Sequence, residues 1–319
     1  MAGEIGRRSL LLALPAALVG SHVRAAPPLR SAALSNAVIA VSDMARSLPV
    51  YERLFGPSLP DGDTAIFRMA RSPAFLALRK VRPEEKPGYA SFGIAIQDFI
   101  PERVEAALTD LGVAGARAAT HNGRSTVWFE DPDGGRVQFA APGHIPGAVA
   151  AAARPPTQAA PFPLQTFSHV TVNARDRPRT AAFFEAIFPM PVQAMQGPGS
   201  LMRRIGPGPD FLALSNKADA PDFRPGVDHA CFAVADFDVA AAIAALAKAG
   251  FQPVEVGDKA LIKPMTCRAR LRQFPNNGGG PSYPLGTFEV YFQDPDNTAI
   301  QLQDVSYCGG SGRQGEICP

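Results

Sequence analysis

The sequence lacks the features that would point to a nucleic-acid partner, a zinc ribbon or a membrane-spanning protein. Only 19% of its 319 residues are charged, the formal net charge is +2, and no Lys/Arg cluster interleaved with aromatic residues would support nucleic-acid binding. The four cysteines all lie in the second half, and none forms a CxxC pair. A hydrophobic content of 46% is typical of a globular chain with room for two cores.

The first 25 residues are typical of an export signal. Arg7 and Arg8 precede an apolar run at 9–20, and small residues around Ala25 suit cleavage. The run is shorter than the about 20 residues that a stable membrane-spanning helix needs. The arginine pair resembles a twin-arginine signal, with a plain secretory signal or an uncleaved anchor as alternatives. We therefore expect a periplasmic or secreted protein that has no membrane segment in its mature form.

A disulfide is permitted in an exported protein, and the C-terminal tail at 306–319 offers one. Cys308 and Cys318 lie in its Gly/Ser-rich sequence, which is flexible enough to close on itself. The alternatives are free thiols or a different pairing.

The chain contains a duplication. Residues 129–134 (FEDPDG) and 292–297 (FQDPDN) are nearly the same phrase, and each precedes a short strand with a glutamine, Gln138 or Gln301. This predicts two domains, at 31–142 and 164–305, joined by a Pro/Ala-rich linker at 143–163. Each domain repeats the order strand, helix, further strands, which predicts an α+β fold of paired βαβββ units. The Asp-Pro-Asp carboxylates are interpreted as turn formers.

The two copies diverge in length within the fourth unit. His169 follows Asn36 by 133 positions and His229 follows Ser91 by 138, whereas Asp294 follows Asp131 by 163. The extra length is assigned to an inserted loop at 258–285, which has turn residues and little periodicity. Such a loop is either a lid over a site or a surface excursion.

Polar faces of three predicted strands in the second domain point to one cavity. Because side chains alternate across a strand, His169, Thr171 and Asn173 share one face of the first strand. Glu289 and Tyr291 share a face of another strand, and Gln301 shares one of the last. Burying such faces without partners is costly, so we expect them to line a shared cavity or meet water.

These motifs resemble the vicinal oxygen chelate superfamily, which includes glyoxalase I, extradiol dioxygenases and bleomycin-resistance proteins. The resemblance rests on the paired βαβββ units, the strands at 168–170 (SHV) and 228–230 (DHA), and the final FxDPD followed by IQL at 300–302. It covers nearly all of the mature chain and implies two curved mixed sheets, each enclosing a cavity. It specifies the fold well and the reaction poorly.

The resemblance to two-domain extradiol dioxygenases implies a metal site at His169, His229 and Gln301. In that group two histidines and one carboxylate hold a divalent ion, so Gln301 departs from the pattern by lacking a charge. Glutamine is a ligand in some glyoxalase I proteins, and Glu289 is an alternative carboxylate. The expected cofactor is a divalent ion, iron(II), manganese or zinc. The alternative for both histidines is an ordinary hydrogen-bonded role.

Further site residues follow from the same resemblance. Tyr291 takes the position of an active-site tyrosine and is the predicted catalytic residue, with an ordinary β-sheet tyrosine as the alternative. The predicted substrate-binding residues are Thr171, Asn173, Cys231 and Trp128. In the first domain the corresponding face carries Asn36, Ser91, Trp128 and Gln138, which make a poor metal site and indicate structural support or a metal-free pocket.

Three functions remain open at this point. The first is an exported metalloenzyme, extradiol-dioxygenase-like, that acts on a small molecule with adjacent oxygens. The second is a non-catalytic protein that sequesters such a ligand, as the bleomycin-resistance resemblance suggests. The third is a glyoxalase-like isomerase or lyase, which Gln301 suits but whose thiol cosubstrate is expected inside the cell. Proteins of this fold often pair, so a homodimer is an expectation, although no segment marks an interface.

Overall fold

A computed structural model describes residues 26–121, 124–145, 160–195, 201–216, 223–255, 262–272 and 287–309. The predicted signal peptide at 1–25 and most of the linker at 143–163 lie outside these residues. Within them the chain forms two large mixed sheets and four helices, which confirms the predicted α+β class. None of the described helices combines the length and the apolar content needed to cross a bilayer.

The N-terminal domain builds one eight-stranded sheet with the strand order β2-β3-β4-β1-β5-β8-β7-β6. Its elements are β1 (Ser31–Val41), α1 (Met44–Phe55), β2 (Leu59–Asp61), β3 (Thr64–Arg68), β4 (Phe75–Lys80), β5 (Gly88–Ile96), α2 (Pro101–Asp110), β6 (Arg117–His121), β7 (Arg124–Glu130) and β8 (Arg136–Ala140).

The C-terminal domain builds a nine-stranded sheet with the order β10-β11-β12-β9-β13-β17-β16-β15-β14. Its elements are β9 (Leu164–Ala174), α3 (Arg177–Ile187), β10 (Val192–Met195), β11 (Leu201–Arg204), β12 (Phe211–Asn216), β13 (Gly226–Val234), α4 (Val239–Lys248), β14 (Gln252–Pro253), β15 (Thr266–Arg272), β16 (Thr287–Gln293) and β17 (Ala299–Asp304).

The two sheets share one topology. In each sheet the first strands of the two units lie side by side and antiparallel, β1 with β5 and β9 with β13. Each of these central strands pairs on its other side with a parallel strand of its own unit. The duplication read from the sequence is therefore a duplication of fold.

Local sequence explains where the helices begin. Asp43, Asp176 and Asp238 precede α1, α3 and α4, and each side chain accepts a hydrogen bond from a backbone N–H of the first turn. Helix α2 instead begins with a proline at its first position, where the missing N–H costs nothing.

One continuous apolar core spans both domains. Phe55 of α1 contacts Phe292 of β16, with ring centroids 6.2 Å apart, and Phe184 of α3 contacts Phe92 of β5 at 6.5 Å. Helices α1 and α3 therefore each pack against the other domain. Each helix thus contributes to its own group of contacting aromatic rings, and both groups help to hold the two halves together.

The two Asp-Pro-Asp turns make polar contacts across the same junction. Asp133 Oδ2 accepts hydrogen bonds from the backbone N–H of Arg175 at 3.1 Å and the hydroxyl of Thr180 at 3.3 Å. Asp296 accepts from the N–H of Ser42 at 2.8 Å and pairs with Arg46. Each turn thus binds the start of the helix that belongs to the other domain.

The structure differs from the sequence prediction at the inserted loop. Part of the segment at 258–285 forms strand β15, which pairs antiparallel with β16. In residues 266–272 (TCRARLR) arginines alternate with less polar residues, a period typical of a strand. This strand corresponds to β6 of the first domain, so the extra length lies on both sides of a strand and not in one continuous loop. Residues 256–261 and 273–286 lie outside the described residues.

Candidate functional site

A single cross-strand row brings the predicted site residues together in the C-terminal sheet. Register partners on neighbouring strands lie directly opposite each other and therefore point to the same face. The row across β11, β12, β9, β13, β17, β16 and β15 consists of Arg204, Phe211, His169, Cys231, Gln301, Tyr291 and Arg268. His229 lies opposite Thr171, two residues along β9 from His169.

This row and its neighbours line a cavity of about 300 Å³. Both histidines, Gln301, Glu289 and Tyr291 are among its walls, so the cavity contains all the predicted metal-binding and catalytic residues. Other lining residues are Thr171, Met202, Phe211, Ala213, Leu214, Ser215, Asp228, Arg268, Arg270, Ala299 and Tyr307. The lining combines polar and charged side chains with a smaller number of apolar ones.

The two imidazole rings meet edge to face. The centroids of His169 and His229 lie 5.6 Å apart, with the ring planes at 83°. His169 is 3% exposed and stacks on Phe211, with centroids 4.3 Å apart. His169 Nδ1 lies 3.3 Å from the hydroxyl of Ser168. A histidine held in this way has one fixed ring orientation in the cavity.

His229 is oriented by contacts at both ring nitrogens. Nδ1 lies 3.0 Å from Asp228 Oδ2, and Nε2 lies 3.1 Å from the hydroxyl of Thr171. If Nδ1 carries the proton and donates to the carboxylate, Nε2 is left as an acceptor on the cavity side. A carboxylate behind a histidine is the arrangement that fixes the tautomer of a metal-binding imidazole.

Gln301 is a buried amide without a hydrogen-bond partner. Its side chain is 1% exposed, and neither its oxygen nor its nitrogen has a partner among the described residues. An unpaired buried amide costs roughly 1–3 kcal/mol, and such groups in native proteins call for an ion, a water or a ligand. Gln301 therefore marks the wall of the cavity that needs an occupant.

In the equivalent row of the N-terminal sheet, the two amide side chains hydrogen-bond to each other. The row runs through Arg68, Phe75, Asn36, Gly93, Gln138, Trp128 and Arg117. Asn36 Nδ2 donates to Gln138 Oε1 at 2.9 Å, over Gly93. A Cβ atom at Gly93 would lie 1.7 Å from Asn36 Oδ1, so only glycine leaves room for this pair. The first domain has no unpaired amide at the position of Gln301.

A buried carboxylate connects two tyrosines in the C-terminal cavity. Glu289 is 1% exposed and accepts a hydrogen bond from Tyr291 at 3.1 Å and one from Tyr307 at 3.4 Å. Tyr307 also contacts the ring of His169, with centroids 5.7 Å apart. The single proton of each phenol is therefore directed at Glu289.

Two arginines of β15 complete the cavity wall. Arg268 lies opposite Tyr291, with its guanidinium carbon 4.8 Å from the ring centroid, and Arg270 lies opposite Glu289. Burial lowers the pKa of Arg268, and the nearby charge of Arg270 lowers it further. The nearby carboxylates of Asp228 and Glu289 raise it, so this wall combines two guanidinium groups with two carboxylates.

Of the four predicted substrate-binding residues, Thr171 is the one that lines the cavity. Thr171 lines the cavity beside His229. Cys231 is fully buried between His169 and Gln301 in the row, and burial raises the pKa of its thiol well above the usual range. Asn173 donates to the backbone carbonyl of Arg224 at 3.1 Å, and Trp128 belongs to the other sheet.

Sequence reasoning missed Arg268, Arg270 and Tyr307, and also Asp228 and Phe211, which contact the two histidines. Arg268 and Arg270 lie in the segment interpreted as a loop, although the alternation in TCRARLR would have placed both on one face of a strand. Tyr307 follows the last strand, and no periodic signal indicated that this segment covers the cavity.

Cys308, beside Tyr307, is disulfide-bonded, whereas Cys231 and Cys267 are free; Cys318 lies outside the described residues.

The donors fit a divalent ion in kind but lack its usual charge. No group of three or more His, Cys, Asp or Glu side chains in the described part of the chain is placed to hold a metal. The candidate set has two imidazoles and one amide oxygen, which are all neutral ligands. The unpartnered amide of Gln301 beside the histidine pair is the observation that supports the fit.

The class of fold is that of the two-domain extradiol dioxygenases. No family model and no curated protein matches the chain. Among solved structures it is similar to homoprotocatechuate 2,3-dioxygenase from Arthrobacter globiformis, with a TM-score of 0.60 and 18% identity over 89% of this chain and 82% of that one.

Two structures from B. fuscum are comparably similar. An extradiol ring-cleaving dioxygenase gives a TM-score of 0.59 and 19% identity, covering 89% of this chain and 75% of that one. A homoprotocatechuate 2,3-dioxygenase variant in complex with HPCA gives 0.60 and 18%, covering 90% and 74%. These neighbours belong to the vicinal oxygen chelate superfamily, and the likeness extends over both domains.

Proposed function

We propose that this protein is a metal-dependent, extradiol-dioxygenase-like enzyme whose C-terminal cavity binds a small molecule with adjacent oxygens. One observation carries the proposal: the cross-strand row places His169, Gln301 and Tyr291 on one face, His229 joins them, and the amide of Gln301 has no partner. The fold of the solved neighbours supports the same reading.

In this proposal His169, His229 and Gln301 hold the divalent ion. The ion supplies Lewis acidity, and where it is iron(II) also the open positions that oxygen chemistry needs. Asp228 fixes the tautomer of His229, and stacking on Phe211 fixes the ring of His169. Glu289 holds the hydroxyls of Tyr291 and Tyr307 in place.

The remaining walls define the ligand. Tyr291 and Tyr307 line the same cavity as the two histidines, where their phenol groups would contact a bound catechol-like molecule. Arg268 and Arg270 attract an anionic substituent on the same molecule. A ligand of the kind in the neighbours' names, a catechol with an acidic side chain, suits both features.

Metal analysis of the purified mature protein tests this function. We expect near-stoichiometric divalent metal after reconstitution, and its loss in a His169→Ala, His229→Ala double variant, because two of the three ligands are then gone. Circular dichroism of the double variant establishes that the fold is intact. A parent protein that retains none of the divalent metals tested would contradict the proposal.

A second candidate is a metal-free protein that sequesters the same class of ligand. It is favoured by Gln301 in place of a carboxylate and by the contacts that occupy both nitrogens of His229. Ligand binding that is unchanged by a chelator and by the double histidine variant would support this candidate.

We also propose that the protein is exported before it acts. The disulfide at Cys308 supports this proposal, since such bonds persist mainly in oxidising compartments. Fractionation of cells that express the full chain tests it. An Arg7→Lys, Arg8→Lys variant should remain in the cytoplasm if the twin-arginine route is used, and normal export of that variant would point to the general secretory route.

A further inference from the structure

Outside the C-terminal cavity, the N-terminal sheet gathers arginines around its tryptophan. Trp128 is half-buried on β7, between Gln138 of β8 and Arg117 of β6 in the cross-strand row. In the duplicated sheet this position is Tyr291, a wall of the cavity. We call the face formed by the side chains of Asn36, Gln138, Trp128, Arg117 and Arg136 the N-terminal cup.

Arg136 lies over the indole ring. It precedes Gln138 by two residues on β8 and therefore points to the same face. Its guanidinium carbon is 5.2 Å from the centroid of the Trp128 ring. Stacking on an aromatic ring holds a guanidinium flat and leaves its N–H donors on the outer edge. The arginine is therefore prepared to bind an acceptor before any ligand arrives.

Four arginines lie in or near the cup, and only Arg79 forms an ion pair with a described carboxylate. Arg79 binds Glu85 through two hydrogen bonds of 2.6 Å, and the backbone N–H of Arg82 also donates to Glu85. Arg82, Arg117 and Arg136 form no ion pair with any other described residue. Burial lowers the pKa of Arg136, and repulsion from Arg82, Arg117 and Arg79 lowers it further, whereas Glu130, its register partner on β7, raises it without forming an ion pair. An oxyanion between these guanidinium groups would relieve the repulsion.

At the other end of the cup the two amides are paired with each other. Asn36 and Gln138 bind each other at 2.9 Å, and Ser35 donates to Asn36 Oδ1 at 3.0 Å. Each of these amide oxygens accepts a hydrogen bond, whereas the amide of Gln301 has no partner among the described residues. The polar groups left to a ligand are therefore the arginine donors.

We propose that the N-terminal cup is an oxyanion site that binds the carboxylate or phosphate group of a small molecule. Arg136 and Arg117 supply the donors, and Trp128 forms the floor. The planar fork of arginine matches both oxyanions in bidentate geometry. The inference does not depend on the metal or on the ligand of the C-terminal cavity.

The experiment uses a natural reporter, because Trp128 is the single tryptophan of the chain. The full mature protein is titrated with inorganic phosphate and, separately, with benzoate, at constant ionic strength. We expect a saturable change in tryptophan emission for the oxyanion that the cup binds. Arg136→Gln should weaken that binding about tenfold or more, since a hydrogen bond between charged groups is worth that much. Arg103→Gln, an exposed arginine on α2, is the matched control and should change nothing.

Three results would overturn the proposal. The first is a linear drift that chloride reproduces at equal concentration, which indicates screening only. The second is unchanged binding in both Arg136→Gln and Arg117→Gln; the latter changes an exposed residue and so guards against misfolding at Arg136. The third is loss of the signal in Arg268→Gln alone, which would place the anion in the C-terminal cavity.

Discussion

At the scale of single residues, the same amide has opposite surroundings in the two domains. Gln138 and Gln301 occupy equivalent positions in the two cross-strand rows. Gln138 accepts a hydrogen bond from Asn36 because Gly93 leaves room for it. In the other row Cys231 stands between His169 and Gln301, so the amide has no partner. The residue between the two neighbours, Gly93 in one row and Cys231 in the other, therefore determines whether the amide is hydrogen-bonded within the row or left for a ligand.

This difference leads to a prediction for metal affinity. Gln301→Glu adds the carboxylate that the two histidines lack, so we expect divalent metal to bind about tenfold more tightly or better, the value of one charge-assisted contact. Isothermal titration with manganese, and with iron(II) under anaerobic conditions, measures the change.

Gln138→Glu is the matched control for that variant. It places a carboxylate at the equivalent position of the first sheet, where Asn36 and Ser91 stand in place of the histidines, and should create no metal site. Unchanged metal affinity in Gln301→Glu, with the fold intact, would exclude Gln301 as a ligand.

At the scale of elements, equivalent helices meet equivalent turns with different chemistry. Tyr51 of α1 is fully buried and donates to Asp294 Oδ2 at 2.9 Å. The corresponding residue of α3 is Phe184, which has no hydroxyl, and Asp131 Oδ2 in the corresponding turn has no partner among the described residues. The first helix is therefore tied to the other domain by a bond that the second helix lacks.

Tyr51→Phe isolates the value of that bond. Phenylalanine already occupies the equivalent position on α3, so the ring should fit without rearrangement. Removing the hydroxyl leaves a buried carboxylate oxygen without its donor, and we expect a loss of about 1–3 kcal/mol in the free energy of unfolding. Urea unfolding followed by circular dichroism measures it. A change below a few tenths of a kcal/mol would show that water replaces the hydroxyl.

Elements that repeat a clear pattern were predictable from the sequence. The offsets between Asn36 and His169, and between Ser91 and His229, identify residues on equivalent strands, and alternation gives their faces. Strand β15 was obscured because the segment that follows it is rich in turn residues, and the whole stretch was therefore interpreted as a loop. Tyr307 was not predictable, because its place over the cavity depends on contacts with Glu289 and His169 rather than on any local period.

At the scale of the whole molecule, the two domains are joined by carboxylates that are expensive to keep charged. Leu34 of β1 donates its N–H to Asp210 Oδ2 at 2.9 Å across the junction, and desolvation raises the pKa of Asp210 to about 7. Burial also raises the pKa of Asp131 to about 6, against the pull of hydrogen bonds from the backbone of Gly135 and Asp133. The turn held by Asp131 is the one that binds α3 through Asp133.

The sign of the resulting pH dependence is fixed by these shifts. A carboxyl group whose pKa is raised on folding keeps its proton in the folded chain while the unfolded chain has released it. For Asp131 this holds between about pH 4, the ordinary value, and about pH 6. The stability of the parent protein should therefore fall as the pH rises through this window, and Asp210 contributes in the same direction up to about pH 7.

Asp131→Asn removes this share of the pH dependence. The amide oxygen still accepts from the backbone of Asp133 and Gly135, and no charge has to be buried. The difference in unfolding free energy between variant and parent should grow in favour of the variant from pH 4 to pH 6, by about 1–3 kcal/mol, and then stay constant. Thermal and urea unfolding over pH 4 to 8 measure it.

Asp294→Asn is the control for this variant. Asp294 Oδ2 accepts a hydrogen bond from Tyr51, so the same change should give a smaller gain or a loss of stability. A difference for Asp131→Asn that does not change with pH would mean that the carboxyl group is already ionised at pH 4, and that the junction tolerates its charge.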